Sequence, residues 1–273
     1  MDLNRLQYTK SQSDKDIGKQ SFNVAKPHEE KKDKSLKITS SDYSKGEATI
    51  ETRIVFVISG GDKRERDYFK MVMKDRNIRR LKIAFVSKKG QGLVPTQMFE
   101  LAKEFQTDAV FVTETDRYNI DPDDTIYLVQ DIDEFEQEIR GLLKRQDEVQ
   151  QTKWIISNPS IETWLFYHKF DTPCGILDEG LDKPLNERSK WLKHKLDELV
   201  NGGMNPIEAF ADIRTAIANS KANYRECNGL PDVYSTQMYI LAEDILNTMG
   251  DEFDQMLQRR RDMVIKFMQN NRN

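Results

Sequence analysis

The chain has 273 residues, 37% of them hydrophobic and 32% charged, with a formal net charge of −4. That length holds one large domain or a domain with an appendage, and the apolar share suffices for a core under a heavily charged surface. The acidic balance argues against a broad DNA-wrapping surface, which needs a cationic excess, but leaves room for a locally basic cleft.

Residues 1–50 are rich in Lys, Asp, Glu, Ser and Gln and carry few large apolar side chains. Such a segment cannot bury enough surface to offset its ordering entropy, so a flexible polar arm is expected there. The first residues contain no apolar signal core, and no later stretch approaches the ~20 apolar residues of a membrane span. A cytoplasmic location without membrane contact is therefore expected. Cys174 and Cys227 fit no zinc or redox spacing and read as two reduced thiols.

The character changes at Arg53. Ile54–Ile58 is a continuous β-branched and aromatic run ended by Ser59-Gly60-Gly61, as expected of a strand buried on both faces. Leu81–Val86, Ile126–Val129 and Trp154–Ile156 repeat the pattern. Between them, helical stripes run from Arg66 to about Arg76, onward from Pro95, and from Phe135 to Leu143. Ala109–Val112 reads either as an extension of the second helix or as an extra strand. This alternation predicts an α/β fold, a doubly wound and mainly parallel sheet over residues 51–170. Residues 171–273 are expected to form a C-terminal helical region packed on it, helical throughout from about Asn186.

In open α/β sheets, ligands bind outside the carboxyl ends of the strands. The third strand ends in Asp131-Ile132-Asp133-Glu134 and the fourth in Ser157-Asn158-Pro159-Ser160, with Glu162 just beyond. Asp131 and Asp133, at i and i+2, suit a hard cation such as Mg²⁺, and equally suit the first turn of a helix. For the second segment, capping by Ser160 is the simpler reading. Gly60-Gly61 is a tight turn able to cradle a phosphate, though no Walker pattern follows. Lys88-Lys89-Gly90 is a basic loop able to touch nucleic-acid phosphate or simply to face solvent. His168, among Trp164, Leu165, Phe166 and Tyr167, reads as a satisfied buried histidine.

The assembled motifs resemble those of the RloB family, Toprim-fold proteins of bacterial restriction and phage-defence loci. That family opens with a strand and E-G-x-x-[TE]-E-x-x-Y-F, and GGDKRERDYF at 60–69 keeps Gly61, Glu65, Tyr68 and Phe69. Its D-x-D-E is similar to QDIDEF, and its S-N-P-S-F-E-x-W to SNPSIETW at 157–164, with Ile161 in place of Phe. The resemblance covers about Arg53 to Leu246. It implies a Toprim-like, Rossmann-like fold and Mg²⁺- or Mn²⁺-dependent cleavage of DNA or RNA in anti-phage defence. Asp131 and Asp133 would then hold the metal with Glu162 assisting, and Ser157, Asn158, Ser160, Lys88 and Lys89 would contact substrate. One departure stands out: Toprim domains carry a glutamate directly after the first strand, and here that position is Gly60. The resemblance therefore also admits a catalytically silent module that binds nucleic acid or a partner AAA/ABC-type ATPase, and a homo-oligomer is compatible with either.

Overall fold

A computed structural model describes residues 51–270, so the arm expected over residues 1–50 lies outside the described residues. The described residues form one compact unit. Its first half runs β1 (Arg53–Ser59), α1 (Lys63–Lys74), β2 (Leu81–Val86) and α2 (Pro95–Asp108). A small hairpin follows, β3 (Val110–Val112) and β4 (Arg117–Asn119), and then β5 (Ile126–Asp131), α3 (Glu136–Leu143) and β6 (Thr152–Ser157). The open reading of Ala109–Val112 resolves as a strand, but one outside the main sheet: β3 pairs only with β4, antiparallel. Ala109, in the left-handed region at φ 51°, ends α2 and turns the chain into it.

The main sheet has the order β2-β1-β5-β6, with every pairing parallel. The chain moves one way from β1 to β2 and the other way from β2 to β5 and β6. Right-handed crossovers therefore place α1 on one face and α2 and α3 on the other. The packing agrees. Tyr68, Phe69 and Val72 of α1 share a core with Val55 and Val57. Met98 and Phe99 of α2, with Ile139 and Leu142 of α3, share the opposite one with Phe56 and Ile58. Both faces of β1 are thus buried, which is why its sequence is apolar throughout and does not alternate. This is an α/β fold of Toprim-like, Rossmann-like arrangement with a C-terminal helical region.

That region comprises α4 (Glu162–Phe166), α5 (Leu185–Leu199), α6 (Pro206–Ala209), α7 (Ile213–Asn223), the two-residue strands β7 (Glu226–Cys227) and β8 (Leu230–Pro231), α8 (Met238–Met249) and α9 (Asp251–Asn270). The expectation of helix throughout is corrected here by β7–β8, whose turn uses Asn228 and Gly229, both at positive φ. Gly250, also at positive φ, divides α8 from α9. Phe210, Ile213, Leu241, Ile245 and Phe253 join the same core as Tyr68 and Phe69, so these helices cover the α1 face of the sheet. The segment Tyr234–Gln237 seals the outer edge of β6. Gln237 N donates to Ile156 O at 2.9 Å, and its side-chain Oε1 accepts from Ile156 N at 3.0 Å. Cys174 and Cys227 are both exposed and unpaired. No described helix is long and apolar enough to cross a membrane.

Candidate functional site

The sheet reverses direction between β1 and β5, and the crevice outside their carboxyl ends is where a doubly wound fold places a ligand. There, Gly60 N donates to Val129 O at 2.9 Å, keeping the two strand ends in register. The two glycines of the turn leave room for two side chains. A Cβ on Gly60 would stand 1.9 Å from Gln130 Oε1, and a Cβ on Gly61 would stand 2.0 Å from Glu65 Oε1. The turn therefore cradles a carboxamide against Gly60 and a carboxylate against Gly61. Gln130 is only 5% exposed. Its Nε2 donates to Asp131 O at 3.1 Å, while its Oε1 has no partner among the described residues.

Glu65 faces an open cavity of about 460 Å³ that is also lined by Arg64, Asp131, Glu162, Lys63 and Lys193. Burial pushes the Glu65 carboxyl up to about 7; the charges of Glu162 and Asp62 add to this, and its own backbone N–H and Arg64 oppose it. Burial likewise lifts Asp131 far above the usual carboxylate range, with Glu65, Glu162 and Asp133 reinforcing it. Glu162 is held at both oxygens, Oε1 by Arg64 Nη1 and Oε2 by the Ser160 hydroxyl at 2.6 Å. Glu65, Asp131 and Glu162 thus share one cavity, with the Arg64 guanidinium bonded to Glu162. Among the described residues, no group of three or more His, Cys, Asp or Glu side chains converges so as to hold a metal ion. As arranged, Glu162 is engaged at both oxygens by Arg64 and Ser160, so the set would have to rearrange before it could take Mg²⁺.

Of the residues singled out from sequence, the structure brings together Asp131 and Glu162, with Ser160 positioning the latter. Asp133 does not line the cavity, though it stays close enough for its charge to act on Asp131 and to feel that of Glu162. The strand stops at Asp131, and Asp133 begins a 3-10 turn (Asp133–Phe135) with φ at 23°, so the i, i+2 alternation of a strand no longer applies. A non-glycine residue in that backbone region is strained and is held by its surroundings, here by a hydrogen bond from Asp133 N to Pro159 O at 3.2 Å. Burial raises its carboxyl, and Glu134 and Glu162 add while the Ser189 hydroxyl opposes. Asp133 and Glu134 do fall in the first turn of that 3-10 helix, as the alternative reading had it, but the caps fall on Ile132, Phe135 and Ile161, none with a side-chain capping bond, so Ser160 does not cap.

Ser157 and Asn158 face the helical region. Ser157 Oγ pairs with Thr236 Oγ1 at 2.8 Å, and Asn158 Nδ2 donates to Pro231 O at 2.8 Å. Lys88 and Lys89 are exposed on the loop after β2, outside the cavity. That loop is tied to the glycine turn by Asp62, which accepts from Ser87 Oγ at 2.9 Å and Gly90 N at 3.1 Å. Burial works against the charged form of Asp62, but those bonds and Arg66 outweigh it and hold the carboxyl low. Asp62 is therefore a loop anchor. The loop also needs Gly92, at φ 71°, since a Cβ there would stand 2.1 Å from Gly60 O.

Sequence reasoning gave Glu65 only as a kept motif position, without a site role, and gave Gln130 no role. Glu65 was legible in principle, because a side chain in the first turn of a helix leans back toward the N-terminus and hence toward the preceding glycines. Gln130 was signalled by being the one amide inside an otherwise apolar strand, IYLVQD.

The Arg64–Glu162 pair gives a direct test. Arg64→Ala leaves a buried carboxylate without its cation and is expected to cost about 2 kcal/mol, less than a fully buried pair because Arg64 is partly exposed. Urea denaturation at neutral pH, with Arg64→Ala/Glu162→Gln expected to recover most of the loss, checks it.

Comparison with known proteins finds no match among curated proteins and none among solved structures. The family model described as RloB-like protein matches residues 55–245, well over half of the chain. The matched span includes the sheet, the glycine turn and every carboxylate of the cavity, and the chain belongs to the family of RloB-like proteins.

Proposed function

We propose that this RloB-like chain is a binding module on a Toprim-type scaffold, one that holds nucleic acid in anti-phage defence without cutting it. The observation that carries the reading is the Gly60 turn. The space that a residue-60 side chain would enter is filled by the Gln130 carboxamide, and Glu162 is engaged at both oxygens by Arg64 and Ser160. A carboxyl cluster in which burial shifts Glu65 and Asp131 toward the protonated form, flanked by Arg64, Lys63 and Lys193, repels a phosphate less than three fully ionised carboxylates would. The ATPase partner suggested by the family resemblance would be recognised by co-purification.

The test is turnover by purified protein on single- and double-stranded DNA and on RNA with Mg²⁺ or Mn²⁺, beside binding of the same oligonucleotides in EDTA. Binding without cleavage is expected. Metal-dependent cleavage abolished by Asp131→Ala would overturn the reading and favour a second one, an active nuclease. The observation behind that second reading is Glu65, whose carboxyl near neutral pH, next to Asp131, suits proton transfer. Glu65→Gln would then lower the rate about 10²–10⁴-fold.

A further inference from the structure

A second, larger opening of about 690 Å³ lies between α1 and α9. Its lining includes six cationic side chains, Lys70, Lys74, Arg76, Arg259, Arg260 and Lys266, against two acidic ones, Asp75 and Asp262. In a chain of net charge −4 this is a local reversal of sign. Part of the charge is spent internally: Lys70 pairs with Asp67 at 2.8 Å, Arg259 with Asp75 at 2.9 Å and Arg260 with Glu208 at 2.7 Å. Among the described residues Lys74, Arg76 and Lys266 form no ion pair, and all three are exposed. The floor is apolar, with Met71 and Met256 buried beneath the cations.

The groove and the carboxyl cavity lie end to end. Lys63, Arg64 and Asp67 line the cavity, and Lys70, Met71, Lys74 and Asp75 line the groove. Those positions recur every three or four residues, so they share one face of α1. On the facing side, Pro206 belongs to the cavity and its neighbour Ile207 to the groove. The Asp67–Lys70 pair sits at the junction.

We propose that this groove is a track for the phosphodiester backbone of a single nucleic-acid strand, which it delivers along α1 to the carboxyl cavity. The proposal rests on the nucleic-acid-binding reading above and says where the strand lies. From Lys63 to Lys74 the helix rises about 17 Å, room for a short run of consecutive phosphates. The two helices contribute cations from both walls, so the backbone is contacted from both sides and the bases face the apolar floor or solvent. Affinity of this kind comes largely from counterion release and is independent of base sequence.

The experiment is fluorescence anisotropy of the full chain in EDTA, titrated into labelled single-stranded DNA, RNA of the same sequence and duplex DNA across a salt series. It compares the parent, the variant Lys74→Ala/Arg76→Ala/Lys266→Ala, and a control with Arg117→Ala/Lys144→Ala/Lys153→Ala. The groove variant is expected to bind single strands at least about tenfold more weakly, with a salt slope shallower by about 2, while the control binds like the parent. Equal binding by the parent and the groove variant would overturn the track and leave the nucleic-acid-binding reading standing. No binding by the parent would overturn both. Displacement of the DNA by poly-glutamate as readily as by unlabelled DNA would overturn the nucleic-acid assignment in favour of an acidic polypeptide.

Discussion

Gly60→Glu, which restores the acidic side chain that Toprim domains place after the first strand, is expected to destabilise the metal-free protein by about 3 kcal/mol. The backbone is not the obstacle, since Gly60 is absent from the glycines at positive φ. The obstacles are space and charge: a Cβ would stand 1.9 Å from Gln130 Oε1, and the new carboxylate would join Glu65 and Asp131, both already pushed up by burial. Two added changes separate these causes. Gln130→Ala in the Gly60→Glu background should recover the packing share, because the colliding atoms belong to the end of a flexible side chain. Mg²⁺ should recover the charge share only in that double variant, raising its stability by about 1.4 kcal/mol at ~10 times Kd. Chemical denaturation of the parent, the single variant and the double variant with and without Mg²⁺ checks this. A single Gly60→Glu variant as stable as the parent would mean that the Gln130 carboxamide swings aside freely for the new side chain.

His168 carries the second large effect. It is 2% exposed, with Nδ1 2.9 Å from Trp164 O and Nε2 3.1 Å from the Tyr68 hydroxyl. The carbonyl can only accept, so Nδ1 carries the proton and Nε2 accepts from Tyr68. Burial lowers the imidazole to about 4 from an ordinary value of 6.5. As pH falls below 6.5 the unfolded chain takes up this proton before the folded one does. The stability contributed by the neutral ring is therefore complete above about 6.5 and is lost toward about 4, by about 3 kcal/mol in all. The parent alone will not display this slope. Glu65, raised to about 7, binds its proton in the folded state over much of the same window and contributes the opposite trend. The difference in stability between parent and His168→Gln, measured by denaturation from pH 7.5 to 4.5 in EDTA, isolates the ring and should shrink steadily on acidification. A constant difference would mean that His168 is free to ionise in the fold.

The sheet was the most legible part of the chain because burial on both faces writes itself into sequence as unbroken apolar runs. Leu81–Val86 was located to the residue, and Pro95 opens its helix as read. The limits of the helical region were harder, since Gly250 and the Asn228-Gly229 turn interrupt it through backbone conformation, which periodicity does not register. The carboxyl edge was legible as a place and only partly as a set of partners. Asp131 and Glu162 were in reach of strand-end reasoning. The conformation of Asp133, the second anchor of Glu162 at Ser160 and the seating of Gln130 against Gly60 are contacts between segments far apart in sequence or turns that spacing alone does not dictate. Ser157 and Asn158 look functional in sequence because a polar run after a buried strand at a sheet edge is where ligands bind; Ser157 bonds Thr236 and Asn158 Nδ2 bonds Pro231 O, while Asn158 Oδ1 is buried without a partner among the described residues.

That use of Ser157 and Asn158 bears on how the protein behaves in a crowded solution. β6 is a border strand of a parallel sheet, and a border strand with bare amides and carbonyls is a template for pairing with another chain. Gln237 reads the backbone of Ile156 twice, Thr236 bridges to Ser157, and Asn158 exchanges backbone bonds with Tyr234 and Ser235, so most of that template is consumed from within. Loosening the seal, for instance with Gln237→Ala, would leave the core intact and free the border. The protein should then stay folded at low concentration and aggregate as concentration or temperature rises.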